Sequence, residues 1–228
     1  KYNPDGLPEE SNVSSVKSVQ FNYMLNTSAF FNLGYSLVGS KYSRYKFKNI
    51  EADNVETAQI DGYVNGSLDI WNNGFNTGGH SREYVDNSQE KENVKFDMTW
   101  QMNNTHSFKF GVDAIQHNNS INSYSIRDSS QYDSEYTPII YTNSISSYSD
   151  EYDINSQDYS GYIQDKMEFD AMVINIGLRY DEFRPERKYP SDYRNPRNEI
   201  NVSDTSVYLD ASNKTQISPR IGLAYQVG

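Results

Sequence analysis

The sequence has no cysteine. A disulfide scaffold and a cysteine metal site are therefore excluded, while the redox compartment stays open. Nor does any stretch approach the roughly 18 consecutive apolar residues of a membrane-spanning helix. That leaves membrane strands untouched, because such a strand needs only about ten residues of alternating polarity. Basic residues are the third shortage, 20 Lys+Arg against 31 Asp+Glu in 228 residues. Nucleic acid and simple adhesion to an anionic lipid surface both need clustered Lys and Arg, so neither is expected as a partner.

Aromatic residues are abundant instead: 20 Tyr and 10 Phe, in a chain otherwise rich in Asn, Ser and Asp. A disordered chain would be poor in aromatics. This mixture suits antiparallel strands joined by polar loops.

Period-two alternation predicts seven strands. The first covers 17–25, with Val19, Phe21, Tyr23 and Leu25 on one face; after a turn at Asn26-Thr27 the second covers 28–40. The next pair covers 94–102 and 107–114 around Asn103-Asn104-Thr105, with Val94, Phe96, Met98 and Trp100 facing Phe108, Phe110 and Val112. A third pair covers 158–169 and 172–183 around Asp170-Ala171, and a seventh strand covers 216–227. Asp165 falls in line with Ile163 and Met167 on an apolar face, which predicts a bulge or a strand end there.

The connections are unequal in a regular way. The three between the pairs, about 41–92, 119–157 and 184–214, are long and polar, although Tyr42–Phe47, Gln59–Ile70 and Pro138–Ile145 have β character. Short turns at one end and long loops at the other is the asymmetry of an outer-membrane barrel. Tyr35, Trp100, Phe108, Phe169, Tyr180 and Tyr225 stand toward strand ends, as interfacial aromatics do. A soluble, secreted, carbohydrate-binding β-sandwich shares the alternation and stays as the alternative. Seven is an odd number and bacterial single-chain barrels use even ones, so the expectation is an all-β, antiparallel, incomplete barrel over 1–228, whose remaining strands come from another segment of its parent.

Three segments carry a family resemblance. Tyr159-Ser160-Gly161-Tyr162-Ile163-Gln164-Asp165 resembles the YxQD strand of TonB-dependent receptors; Asn175-Ile176-Gly177-Leu178-Arg179-Tyr180-Asp181 resembles their NxGLRYD strand; Ser218-Pro219-Arg220-Ile221-Gly222-Leu223-Ala224-Tyr225 is similar to their SPRxGxAY strand. Phe108-Lys109-Phe110-Gly111-Val112-Asp113 fits the strand before them, and the motifs are most similar to those of the Bacteroidetes-type group. The resemblance covers 94–228 well and 1–93 by strand pattern only. It implies a barrel filled by a plug domain, energy-coupled nutrient uptake, contact with TonB through the parent's plug, and a surface lipoprotein as a partner. The chain departs from the family in having no plug and no recognisable TonB box.

Lys109, Asp113, Arg179 and Arg220 are expected to face the lumen, since a charge facing lipid costs a few kcal/mol. Gly111, Gly177 and Gly222 are expected where another body comes close. No catalytic constellation is present; His80, His106 and His117 have no metal spacing and read as plain polar residues, so neither enzyme activity nor a cofactor is expected. Asp128, Asp133, Glu135, Asp150 and Asp153 form a weak calcium candidate, for which a solvated acidic loop is the plainer expectation. Tyr132, Tyr136, Tyr141, Tyr148 and Tyr152 make a candidate recognition surface for a ligand or partner protein.

Overall fold

The computed structural model describes residues 6–48, 51–53, 57–59, 81–128, 138–140, 149–194 and 207–226. Thirteen strands follow in chain order: β1 (Glu9–Asn26), β2 (Ala29–Tyr45), β3 (Glu51–Asp53), β4 (Thr57–Gln59), β5 (Glu83–Gln101), β6 (His106–Ser125), β7 (Arg127–Asp128), β8 (Pro138–Ile139), β9 (Ser149–Phe169), β10 (Met172–Arg184), β11 (Lys188–Pro190), β12 (Tyr208–Asp210) and β13 (Lys214–Tyr225). Seven form one antiparallel up-and-down sheet in the order β1-β2-β5-β6-β9-β10-β13. The short strands pair separately as β3–β4, β7–β8 and β11–β12. The sheet is not closed, and β1 and β13 are its edges among the described residues.

All seven predicted strands are present, and most are longer than expected. β5, β6 and β9 have 19, 20 and 21 residues, about twice what a bilayer crossing needs. The loops predicted at 41–92 and 119–157 therefore shrink from both sides, with Tyr42–Tyr45, Glu83–Glu92 and Ser149–Gln157 all in ladders. β10 and β13 have only 13 and 12 residues. The wall is consequently tall from β1 to β9 and low at β10 and β13.

Side-chain capping sets the short turns. Asn26 Oδ1 accepts from the Ser28 N–H and hydroxyl at 2.8 and 2.9 Å, moving the first turn one residue on to Thr27–Ser28. Asn103 Oδ1 accepts from the N–H groups of Thr105 and His106, both at 2.8 Å. Asp170–Ala171 turns as predicted.

One face of the sheet is an apolar quilt. Tyr23, Phe31, Met98, Phe110, Ile163 and Leu178 stand in one cross-strand row, and Phe21, Leu33, Phe96, Val112, Gly161 and Tyr180 in the next. Aromatic rings link it across strands: Tyr23 to Phe31 at 5.7 Å, Phe31 to Phe96 at 5.6 Å, Phe96 to Phe110 at 6.2 Å. Yet nothing covers it among the described residues. Val19 is 70% exposed and Ile221 is 82% exposed, and the buried hydrophobic residues among those described are Ala29, Ile126 and Ile140. A β-sandwich packs two such faces against each other. Here no second sheet does so among the described residues, which sets the sandwich expectation aside.

The Asp165 expectation also needs correction. The β9–β10 register runs without a shift from Gln157 to Phe169, so there is no bulge. Asp165 is held on the apolar face by His106, whose Nδ1 lies 2.8 Å from Asp165 Oδ2, close to the short-turn end.

Candidate functional site

The opposite face carries the polar chemistry. In an antiparallel ladder, residues directly opposite share a face. Register thus puts Asn22, Asn32, Asp97, Gly111, Tyr162, Arg179 and Ser218 in one row. The next row toward the loops holds Gln20, Gly34, Lys95, Asp113, Ser160, Asp181 and Gln216.

These rows are wired together. The Tyr162 hydroxyl donates to Asp97 Oδ1 at 2.8 Å, and Lys95 Nζ lies 3.1 Å from Asp97 Oδ2. Arg179 grips Asp181 from Nε at 2.9 Å and from Nη2 at 2.7 Å. Asn93 donates to Asp113. Tyr162 can reach across because Gly111 stands opposite it on β6: a Cβ there would meet Tyr162 Cε1 at 2.7 Å, Asp97 Oδ1 at 2.6 Å and the Phe96 carbonyl at 2.8 Å. A cavity of about 120 Å3 lies among Lys95, Asp97, Asp113, Tyr162 and Arg179. A wider hollow of about 400 Å3 beside it touches Asp158, Arg179, Asp181 and Lys214.

All four residues singled out for the lumen, Lys109, Asp113, Arg179 and Arg220, stand on this polar face. Asp113 and Arg179 share the cluster, while Lys109 and Arg220 lie one row nearer the short turns, in line with Gln164 and Gly177. Sequence reading missed Lys95, Asp97, Tyr162 and Asp181 as members. The signal was there in their parity, which matches that of Asp113 and Arg179 once the strands are placed side by side.

The glycines divide. At Gly111 the close body is Tyr162 of the next strand, at Gly177 it is the Ile163 carbonyl at 3.2 Å, and at Gly222 the nearest atom is 3.7 Å away. His117 also gains a partner the sequence did not suggest, with Nε2 2.9 Å from Asp158 Oδ2. His80 lies outside the described residues.

The loop candidates fare differently. Asp133, Glu135, Tyr132, Tyr136, Tyr141 and Tyr148 lie outside the described residues. Asp150 and Asp153 belong to β9, not to a loop, and strand alternation sends them to opposite faces. Among the described residues no three His, Asp or Glu side chains gather as a metal site. Tyr152 is likewise a strand residue, with the Arg187 guanidinium 5.4 Å from its ring centre.

The apolar face has a built border. On it the Tyr35 hydroxyl donates to Glu92 at 2.6 Å, Tyr180 to Glu182 at 3.0 Å and Tyr159 to Gln157 at 2.8 Å. Each acceptor stands one row nearer the loops, so each tyrosine keeps its ring in the apolar band and its oxygen outside. Tyr35 and Tyr180 are thus not at strand ends, as expected from sequence, but at the end of the apolar band. Trp100, Phe108, Phe169 and Tyr225 mark the opposite border near the short turns. Amphipathic rings at both edges of an apolar band are the girdles of a membrane wall. From Met172 to Tyr180, β10 spans about 26 Å at roughly 3.3 Å per residue, or about 20 Å along the membrane normal after a tilt near 40°.

An uncovered apolar face with tyrosine borders, backed by a charged face, defines an outer-membrane β-barrel wall. A family model described as an outer membrane beta barrel domain matches residues 6–228, and the chain belongs to that family. Its location is accordingly the bacterial outer membrane. No curated protein shows significant similarity to it.

Proposed function

We propose that this barrel wall belongs to a TonB-dependent receptor and serves energy-coupled uptake of a nutrient ligand. The observation that carries the reading is the adjacency of the three motif strands. β9, β10 and β13 are immediate neighbours, and Tyr162, Arg179 and Ser218, one from each motif, stand in a single row on the polar face. In this reading the polar face lines the lumen. Lys109, Asp113, Arg179 and Arg220 point at a plug contributed by the rest of the parent, and the cluster around Asp97 gives that plug a charged seat. The resemblance also supplies the remaining partners, TonB reached through the plug and a surface lipoprotein at the loops.

The test is uptake of a panel of labelled siderophores, oligosaccharides, peptides and cobalamin by cells carrying the whole receptor. One ligand should bind with the proton-motive force collapsed but enter only with it intact. Entry that continues without energy would mean a passive pore and overturn the reading.

A second reading has one observation in its favour. In the β11–β12 segment Tyr189 and Tyr193 stack at 6.0 Å, Tyr193 is 75% exposed, and Tyr189 stands opposite the exposed Leu209. An exposed aromatic hairpin at the long-loop end suits a structural subunit that holds partner proteins. Loss of an assembly partner without loss of uptake on Tyr193→Ser would favour it.

A further inference from the structure

The apolar quilt has a hollow in it. Near the loop end of the band, Phe96, Val112, Gly161 and Tyr180 cross β5, β6, β9 and β10 in one row. Val94, Ala114 and Tyr159 follow in the next row up. Val112, Ala114 and Gly161 are short and make a floor. Phe96 and Val94 rise on one side of it, Tyr180 and Tyr159 on the other. The hollow measures about 340 Å3 and lies among the central strands, away from β1 and β13.

Gly161 keeps it open. A Cβ at this position would meet its nearest atoms at 3.7 and 3.8 Å, which is ordinary contact. Among the described residues nothing demands a glycine here, in contrast to Gly111, and glycine weakens a strand interior. The absent side chain therefore leaves room on the lipid side for a body that is not part of the sheet. Long loops mark the extracellular end of an outer-membrane barrel, so the hollow faces the outer leaflet.

The chemistry changes directly above it. One row nearer the loops the same face carries Gln116, Gln157 and Arg184. The Arg184 guanidinium carbon lies 4.7 Å from the centre of the Tyr159 ring, and its Nε donates to Glu182 Oε1 at 2.7 Å. Glu182 also accepts from the Tyr180 hydroxyl at 3.0 Å and from Asn213 at 3.2 Å, so its charge is well satisfied. Among the described residues Arg184 is held through Nε alone, which leaves the Nη side of its fork for a second anion such as a phosphate.

We propose that this place seats one phosphate-bearing glycolipid of the outer leaflet. An acyl chain lies in the hollow between Phe96 and Tyr180, the phosphate meets Arg184, and sugar hydroxyls meet the amides of Gln116 and Gln157. A phospholipid makes the first two contacts but offers the amides no sugar. The proposal rests on membership of the barrel family and is independent of what the barrel transports.

The experiment uses the whole protein, extracted from outer membranes in mild detergent and freed of lipid. Lipid A is the probe, phosphatidylglycerol the competitor, and native mass spectrometry the readout. Gly161→Leu fills the hollow, and Arg184→Gln removes the phosphate partner from outside the apolar band. Each should weaken lipid A binding about tenfold, the order of one lost charged hydrogen bond or one lost apolar contact. Val19→Leu, on the same face but on β1, should leave binding unchanged. Variants that bind lipid A as tightly as the unaltered protein would overturn the proposal. Displacement of lipid A by phosphatidylglycerol at equal concentration would overturn it too, because the amides would then read no sugar. Should Gly161→Leu fail to fold, seen as lost heat-modifiable migration on a gel, Arg184→Gln decides alone.

Discussion

Tyr162 lies across Gly111. The two stand opposite each other on β9 and β6, and the tyrosine ring occupies the space a side chain at position 111 would need. From there its hydroxyl reaches Asp97 on the third strand along. One glycine thus lets one side chain tie three strands together.

Gly111→Ala should therefore be costly. Its methyl would stand 2.8 Å from the Phe96 carbonyl, a backbone atom that cannot swing away, as well as against the tyrosine ring. Overpacking of this kind costs about 1–3 kcal/mol. Urea unfolding in lipid vesicles should show it, with Gly222→Ala, where the nearest atom is 3.7 Å away, close to neutral.

Tyr162→Phe keeps the ring over Gly111 and removes only the donor to Asp97. The loss should be about 1 kcal/mol, because Lys95 still neutralises Asp97. A larger loss than for Gly111→Ala, in the same unfolding measurement, would show that the hydroxyl and not the ring-over-glycine contact joins the strands.

Charge should be tolerated on one face only. Ile163→Lys, in the middle of the apolar quilt, should destabilise the membrane-inserted protein by about 2–4 kcal/mol. Gln20→Lys on the polar face should change it by less than about 1 kcal/mol. The reverse order would mean that the faces have been assigned the wrong way round, and equal effects that neither face meets lipid.

The His106–Asp165 pair sits on the apolar side, and Asp165 Oδ1 is shielded without a hydrogen-bond partner among the described residues. Removing one member of such a pair strands the other. His106→Leu alone should lower folding yield into vesicles, while His106→Leu with Asp165→Leu should restore it. A double variant worse than either single one would refute this.

At the tall rim Tyr45, Tyr84 and Tyr124 stack in a ladder with ring separations of 5.2 and 4.5 Å. Burial holds the Tyr124 phenol well above the ordinary tyrosine value, and pushes Tyr84 up as well. A raised folded-state value favours the neutral phenol in the folded rim. The stability it contributes is intact below the ordinary value of about 10 and is lost as pH rises through the folded value. Phenolate absorbance in an alkaline titration should show a late-titrating step that Tyr124→Phe removes.

The membrane-crossing half of the wall was legible in the sequence because lipid on one side and polar groups on the other impose strict alternation, as in Val94 to Trp100. Above the membrane both faces of a strand meet water, and the period vanishes. Gln116, His117, Asn118, Asn119 and Ser120 carry no apolar signal, yet all five lie in the β6 ladders. Only backbone pairing makes them strand. The polar cluster was half visible. Asp113 and Arg179 stood out as charges in alternating segments, but the link from Tyr162 to Asp97 spans 65 residues of sequence and depends on strand neighbours that no local pattern reveals. Asp165 misled for a related reason, since its partner His106 sits on another hairpin.

The uneven height of the wall sets where each connection is anchored. The segment between Ser125 and Ser149 is rooted at the top of the tall strands, far from the lipid. The segment leaving Arg184 starts just beyond Glu182, which accepts the hydroxyl of a border tyrosine, and so is rooted at headgroup level. The two connections therefore leave the wall at different heights, one well above the apolar band and the other at its tyrosine border.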